Sequence, residues 1–519
     1  MVQNIVQKNV AELKKQKPFK RGHGFLMPVF SLDGDFGIGT MGKSCTEFID
    51  FVSAAGGYMW QVLPFGPTGY SNSPYQCFSA FAGNPYLIDP ELLYEEGLLS
   101  RDDTENLKSE NTGRIDYGYL YNTRKKALYK AFQAFKDKQL NEQDDYNAFL
   151  KKASFWLEDY AVFMAIKSHF GNIGRENFKD YRIKTENAVR FVEENLADEA
   201  FFIKFLEYEF WHQWKKIKVY ASKKNILLVG DIPLYVSNDS ADVFAHPELF
   251  KLSNDYSPSA VAGVPPDIFS KKGQLWGNPL YNWAAHRESN FKWWSDRIKW
   301  QNELFDIIRI DHFIGFSRYY SIDSENKTAE NGIWLDGPGI DIIKGIQQKN
   351  PNALFIAEDL GLINKKTEKL LKATGFPGMS IFEFAFDSDS NNKNLPHNIK
   401  RNTVSYIGTH DNMTLKGFTE SVSPKILKKI ENYVGCKNLN DLDNLIIREC
   451  FKSQANTLII SLADYMGLDN SARINTPATS NGNWEWRAVN PPYTEIAEKV
   501  LNLSKIYGRE NKNATNRKL

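Results

Sequence analysis

The sequence predicts an α/β fold, either a (β/α)8 barrel or a doubly wound sheet, and three observations carry that prediction. Eight short apolar runs rich in β-branched and aromatic residues recur along the chain, each bounded by turn residues. Their apolarity is continuous rather than alternating, which suits strands covered on both faces, as in a parallel sheet. Helix-period stretches fill most of the gaps, and strand-then-helix repeated over this length gives one of those two architectures.

In chain order the runs are 24–30 (GFLMPVF), 58–64 (YMWQVLP), 226–234 (ILLVGDIPL), 305–313 (FDIIRIDHF), 354–360 (LFIAEDL), 379–384 (MSIFEF), 403–408 (TVSYIG) and 457–463 (TLIISLA). The last reads equally well as a helix. Helices are expected at 43–55 and 364–374 among others. The gap between the second and third runs is too long for a crossover. Its apolar residues, among them Leu128, Phe132, Phe135, Trp156 and Tyr160, recur at helical spacing, so 90–225 is expected to be a mainly helical insertion. The stretch 238–283 is dense in Pro, Gly and aromatics with little periodicity and reads as a long functional loop. One catalytic unit over 20–500 and a disordered polar tail at 507–519 complete the expectation.

Composition narrows the function. The chain has 519 residues with 42% hydrophobic, enough for a packed core. Lys+Arg number 64 and Asp+Glu 63, so no global field favours nucleic acid or an anionic membrane. The four cysteines (Cys45, Cys77, Cys436, Cys450) have neither C-x-x-C nor zinc-ligand spacing. They read as free thiols in a reducing compartment. Lys, Asn and Gln break every apolar run near the N-terminus, and no stretch of about 18 apolar residues occurs. The expectation is a cytoplasmic globular protein. An aromatic share of 14% supplies flat rings beyond ordinary core needs, the kind on which sugars and bases stack.

Two motifs compete for the active site. The stretch 37–44, GIGTMGKS, satisfies G-x-x-x-x-G-K-[ST], and LLVGD ending at Asp231 is Walker-B-like. Against a phosphate cradle, six residues separate the strand from the first glycine, and Asp33 and Asp35 sit where a triphosphate would be repelled. The rival is a set of acids at strand ends: Asp231, Asp311 in Arg309-Ile-Asp, Glu358 in Ala357-Glu-Asp359, and Asp411 in His410-Asp-Asn412. In a barrel these ends converge on one face, where the active site lies. Single acids there are often helix caps; four with Arg309 and histidines adjacent fit glycoside chemistry, which needs two carboxylates. Arg309 lies on the same strand face as Asp311 and is expected to keep it ionised at low pKa. Loops at 66–76 (GPTGYSNSPYQ), 265–267 (PPD) and 274–281 (QLWGNPLY) add the aromatic and amide groups that sugar subsites use.

Together these residues resemble the 4-alpha-glucanotransferase (amylomaltase, disproportionating enzyme) family. The match runs in order through SLDGDFGIGTMG, WQVLPFGPTGYSNSPYQCFSAFAGNPYLID, GDIPLYVSNDSADVFAHPELF, AGVPPDIFSKKGQLWGNPLYNW, RIDHFIGF, IAEDLG, GFPGM and GTHDN, over about residues 22 to 490. The resemblance implies a (β/α)8 TIM barrel with inserted subdomains and a hexosyltransferase with a retaining double displacement. It implies no metal or organic cofactor, and it assigns GIGTMG to a turn that binds no nucleotide. The implied partners are α-1,4-glucans and maltooligosaccharides with glucose as acceptor, and neither nucleic acid nor membrane. Carried over by position, Asp311 would be the nucleophile, Glu358 the acid/base, and Asp411 the stabiliser of the distorted donor sugar. Arg309 and His410 would flank them. Tyr75 would stack on the donor ring; Asp231, Asp267, Gln274, Trp276 and Asn278 would line the cleft, with Ser73, His312 and Asn412 also binding substrate. Tyr70 would serve a secondary glucan contact. Ile314 and Met413 depart from the family's usual Arg and acidic residue, and SLDGDF from its Ser/Pro-rich version. An α-amylase-like hydrolase, a non-catalytic glucan-binding protein and a P-loop ATPase are the alternatives.

Overall fold

The structure is a computed structural model, and it describes residues 13–69, 71–266, 270–361 and 363–513. Its strands, in chain order, are β1 (Gly22–Leu26), β2 (Met59–Gln61), β3 (Leu227–Ile232), β4 (Ala260–Val264), β5 (Gln274–Pro279), β6 (Ile307–Ile310), β7 (Arg318–Asp323), β8 (Gly332–Asp336), β9 (Phe355–Ala357), β10 (Gly378–Ile381), β11 (Thr403–Tyr406) and β12 (Thr457–Ser461).

Eight of these form one parallel sheet in the order β10-β11-β12-β1-β2-β3-β6-β9. The two ends of that order meet. The Ala357 N–H of β9 donates to the Pro377 carbonyl at 2.9 Å, just before β10. The Met379 N–H of β10 donates to Asp359 Oδ1 at 2.7 Å. Closure removes the unpaired strand edges, and the sheet is a (β/α)8 barrel. Each of the eight apolar runs overlaps one barrel strand, with β1 and β10 beginning one or two residues before their runs, and 457–463 is strand rather than helix at β12. The runs are apolar throughout because one face fills the barrel and the other lies under helices. Thus all of β1 is buried, and the helix Lys43–Ala54 buries Phe48, Phe51 and Val52. Trp60 of β2 meets Trp214 edge-on at 6.2 Å.

Between β2 and β3 run the helices Tyr117–Asp137, Asp144–Ala153, Leu157–His169, Glu186–Asn195 and Ala197–Lys223. Aromatic side chains cement them: Phe135 lies 5.0 Å from Phe205 and 5.3 Å from Tyr146, ring to ring. No helix among the described residues is long and apolar enough to cross a membrane.

Two features differ from the sequence reading. The stretch 238–283 is more regular than its Gly/Pro content suggests: it contains β4 and β5, which join β7 and β8 in an antiparallel sheet, order β5-β4-β7-β8. A register shift between Val261 and Gly263 breaks the alternation by which a strand is recognised, and β7 and β8 lie beyond β6 in the chain. The tail also departs from expectation over 507–513. Arg509 is buried and donates to the carbonyls of Phe451, Gly22 and Ser453 at 2.9–3.0 Å, and Asn511 N–H donates to Gly56 O. One buried arginine satisfied by carbonyls fixes a segment whose letters read as solvated. Residues 514–519 lie outside the described residues.

Candidate active site

The site begins with strand register. β6 lies between β3 and β9, with Asp231 paired to Arg309 and Ile310 paired to Ala357. Residues two apart along a strand share a face, so Arg309 and Asp311 project together. Asp311 and Glu358 each follow one member of the Ile310–Ala357 pair, which sets two carboxylates side by side at the C-terminal mouth of the barrel.

Arg309 forks between two acids. Its Nη1 donates to Asp231 Oδ2 at 2.6 Å, and its Nη2 lies 3.1 Å from Asp311 Oδ1. The Tyr75 hydroxyl donates to the same Asp231 oxygen at 2.8 Å, while Asp231 Oδ1 is buried with no partner among the described residues. Glu358 is held by backbone: Oε2 accepts from His312 N–H at 2.6 Å and Oε1 from Leu360 N–H at 3.1 Å. His312 presents that N–H from a left-handed conformation, φ 50°, the kind of local strain that persists where surroundings over-determine it.

The electrostatics separate the two neighbours. Burial pushes the Glu358 carboxyl up to about 8, and the charge of Asp311 adds to the shift. Asp311 requires a correction to the sequence reading. Burial raises it above the ordinary Asp range, and Asp411 raises it further; Arg309 offsets only part of this. Desolvation therefore outweighs the ion pair. Even so, the guanidinium touches Asp311 and not Glu358, so a single shared proton resides on Glu358. Arg309 is itself pulled down by burial, but Asp231 and Asp311 overcome that and hold it charged. Burial lowers His312 to about 4 and also lowers His410, so both imidazoles are neutral at pH 7.

Asp411 arrives differently, on the loop after β11. Asn475 Nδ2 donates to its Oδ1 at 2.6 Å, Arg473 Nη2 donates to its carbonyl at 2.6 Å, and His410 Nε2 lies 3.4 Å from Oδ2. Tyr75 stacks on the His410 ring at 5.1 Å and 14°, with Trp484 tilted against both. Asp231, Arg309, Asp311, Glu358, Asp411, His410, His312 and Tyr75 are thus brought together.

The remaining expected residues divide. Trp276 meets the His312 ring edge-on at 4.9 Å, and its Nε1 donates to Gln274 Oε1 at 3.2 Å, so both belong to the cleft wall. Asn278 is buried and bonded internally: Nδ2 donates to Val236 O at 2.8 Å, and Oδ1 accepts from Gln76 Nε2 at 2.9 Å. It ties two loops. Ser73 Oγ accepts from Tyr75 N–H at 3.3 Å and shapes the turn that delivers Tyr75. Asn412 closes its own loop, accepting from Thr409 N–H and hydroxyl, and donates to Glu383. Asp267 and Tyr70 lie outside the described residues. The sequence reading missed Glu383, Arg473, Asn475 and Trp484, and it singled out the loop of Gln76 without giving that residue a role. Of these, Glu383 is the last residue but one of the 379–384 run and carries a strand-end signal like that of the others; Arg473 and Asn475 sit in irregular chain with no signal. Among the described residues no group of three or more His, Cys, Asp or Glu side chains is arranged to hold a metal ion.

A pair of adjacent carboxyls, one against a guanidinium and one holding a proton, is an arrangement for nucleophilic attack with general acid assistance. The comparisons with known proteins point the same way. The 4-alpha-glucanotransferase family model matches residues 27–491. A 4-alpha-glucanotransferase of Clostridium butyricum is 44% identical over 488 residues, 93% of this chain and all of that protein. One from Aquifex aeolicus is 41% identical over 94% of this chain and 99% of its own length. Among solved structures, the amylomaltase of Streptococcus agalactiae in complex with acarbose superposes with a TM-score of 0.91 at 40% identity, covering 95% of this chain and 100% of that one. The amylomaltase of Corynebacterium glutamicum shares the fold at 16% identity, with a TM-score of 0.78 over 95% of this chain and 75% of its own. By sequence along nearly its whole length and by fold, this chain belongs to the 4-alpha-glucanotransferase family.

Proposed function

We propose that the protein transfers a segment of an α-1,4-glucan to the 4-hydroxyl of another maltooligosaccharide, or of glucose, through a covalent glucosyl-enzyme. Asp311 is the nucleophile and Glu358 the acid/base. In the first half, Glu358 gives its proton to the glycosidic oxygen while an Asp311 oxygen bonds to the anomeric carbon. The C–O bond to the leaving chain breaks, and that chain departs with the proton. In the second half, the Glu358 carboxylate takes the proton of the acceptor 4-hydroxyl as that oxygen attacks the same carbon. The ester breaks and Asp311 regains its charge. Two inversions give net retention.

What supports this most is the pairing at the β6 and β9 ends, where Asp311 contacts Arg309 and burial raises the neighbouring Glu358 carboxyl to about 8. Arg309 keeps charge balanced as the ester forms and breaks. Asp411, anchored through Asn475, is placed to hold donor-sugar hydroxyls. Tyr75 and Trp276 supply ring faces and edges along the cleft, and the wall they form favours transfer by limiting water at the ester.

Purified protein incubated with maltotriose and no cofactor tests the reading when products are resolved by chain length. A ladder of longer maltooligosaccharides with glucose is expected. Glucose and maltose with nothing longer would make the protein a hydrolase that shares the same ester.

A further inference from the structure

Glu383 lies at the mouth of the barrel, directly after β10, and so between the strand ends that carry Glu358 and the Asp411 loop. Its N–H donates to Ile407 O at 3.2 Å, at the end of β11. Its Oε2 accepts from Asn412 Nδ2 at 3.2 Å, and Asn412 in turn accepts from the N–H and hydroxyl of Thr409 at 3.0 and 2.9 Å. The backbone of Gly408 packs against Oε1: a Cβ there would lie 2.7 Å from that oxygen. That oxygen is buried and makes no hydrogen bond of good geometry among the described residues, although the Met413 backbone N–H lies close enough to the carboxyl to favour its ionised form. A buried carboxylate oxygen without a donor is costly, whereas a protonated carboxyl needs fewer donors.

We infer that Glu383, in its protonated form, is a positioning residue for the transfer reaction: through Asn412 it clamps the 408–412 loop so that Asp411 faces the donor sugar. The inference rests on the proposed role of Asp411. Asp411 has two anchors of its own, Asn475 and Arg473, both on irregular chain beyond β12. Glu383 supplies a third, through Asn412, from the turn that directly follows β10. The groups that face it are consistent with a proton at neutral pH. Burial and the nearby acid Asp464 raise its carboxyl to about 8; Asn412, Arg473 and the Met413 backbone oppose this and do not cancel it. Asp464 is itself buried, raised to about 7, and accepts from Leu415 N–H at 2.7 Å. Ionising Glu383 places its charge against Asp464 and against the Gly408 backbone, and loosens the loop.

The test compares E383A, E383Q and N412A with the unsubstituted protein in maltotriose disproportionation over pH 5.5 to 9.5, with thermal midpoints as the folding control. E383A is expected to lower kcat about 10–100-fold with KM within about threefold, because the lost contact orients a group that acts on the distorted sugar. In E383Q the amide keeps both the acceptor and the donor of a protonated carboxyl, so kcat near pH 6.5 stays within about fivefold. Its alkaline limb becomes shallower by about one proton, since Glu358 then titrates without Glu383. N412A removes the same contact from the other side, and the E383A/N412A double variant should be no worse than either single one. Should E383A retain kcat within twofold with an unchanged pH profile, the clamp is wrong. E383Q as damaged as E383A near pH 6.5 overturns it too, since an ionised carboxylate would then be the required form. Absence of a product ladder from the unsubstituted protein is a separate result and removes the transferase reading itself.

Discussion

The 37–44 turn and the β3–β6–β9 strand ends each bring charged residues to a junction of strand, turn and helix, yet they handle charge in opposite ways. In the turn every charge is answered locally. Lys43 points outward, its side chain 87% exposed, and pairs with Glu47 at 3.4 Å one helical turn on. Asp89 fills the turn: its Oδ2 accepts from the Thr40 hydroxyl at 2.5 Å and would lie 2.1 Å from a Cβ on Gly42, while Oδ1 caps the next helix at Glu91 and Leu92. The glycines admit their own backbone and a carboxylate, so a phosphate would meet an acid there. At the strand ends, Asp231, Arg309, Asp311 and Glu358 are crowded into a buried place with more acids than cations. Polar atoms are left over there: Asp231 Oδ1 and Arg309 Nε have no partner among the described residues. Motif letters mark both places, and each buries an acid, but buried charged groups with polar atoms left unpartnered mark only one.

The comparison breaks most visibly at Asp311. D311N keeps the shape and the Arg309 contact but cannot form the ester, so turnover in maltotriose disproportionation should fall about 10^4-fold or more, the scale on which loss of a nucleophile is felt, with the thermal midpoint nearly unchanged. Turnover surviving in D311N would move the nucleophile elsewhere. E358Q should cost about 10^2–10^4-fold, as removal of a general acid/base does, and should erase the alkaline limb that Glu358 supplies. The signs of that profile follow from the shifts. Glu358 must be protonated, so turnover declines as pH rises through about 8. Asp311 must be ionised and is raised above the ordinary Asp range, so the acid limb sets in at a higher pH than an exposed Asp would give. A rate–pH profile that is flat from 6 to 9 would remove Glu358 from the proton-transfer role.

Between the two extremes stands Asp411, whose anchors also show what was legible in the sequence. The strand ends are readable because barrel strands buried on both faces leave continuous apolar runs, and an acid closing such a run stands out; Asp231, Asp311 and Glu358 are all of this kind. Asn475 and Arg473 are not: they lie in irregular chain 64 and 62 residues from the atoms they bind, and no periodicity announces an amide in a loop. The same holds for the β4–β5–β7–β8 sheet, whose strands find partners across β6, and for Arg509, which is held by carbonyls of β1 and of the end of the helix Leu442–Lys452 rather than by its neighbours. The direction of Asp311's pKa shift was misjudged because the sequence displays Arg309 beside it but not the burial around both. N475A tests the unannounced anchor. Losing a hydrogen bond to a carboxylate costs about 1.5–3 kcal/mol, so a kcat loss of about 10–100-fold is expected, read in the same assay with the thermal midpoint as control. No loss in N475A would mean that Arg473 and Glu383 suffice to place Asp411.

The smallest expected effect is the sharpest check on the turn. K43A removes the one cation that a phosphate cradle would need, and it removes only an exposed i,i+4 pair with Glu47. Such pairs contribute about 0.3–0.5 kcal/mol, and substitutions on the surface away from special features change stability by about 0.5 kcal/mol or less. Kinetic constants for maltotriose should therefore match those of the unsubstituted protein within about twofold. The same insensitivity should hold with millimolar ATP present, because Asp89 keeps a carboxylate beside Gly42 whether or not Lys43 is there. A K43A protein that lost turnover, or an unsubstituted protein whose turnover responded to ATP in a way K43A did not, would mean that the turn works on a ligand despite Asp89. Local neutralisation of charge would then no longer separate a structural glycine turn from a functional one.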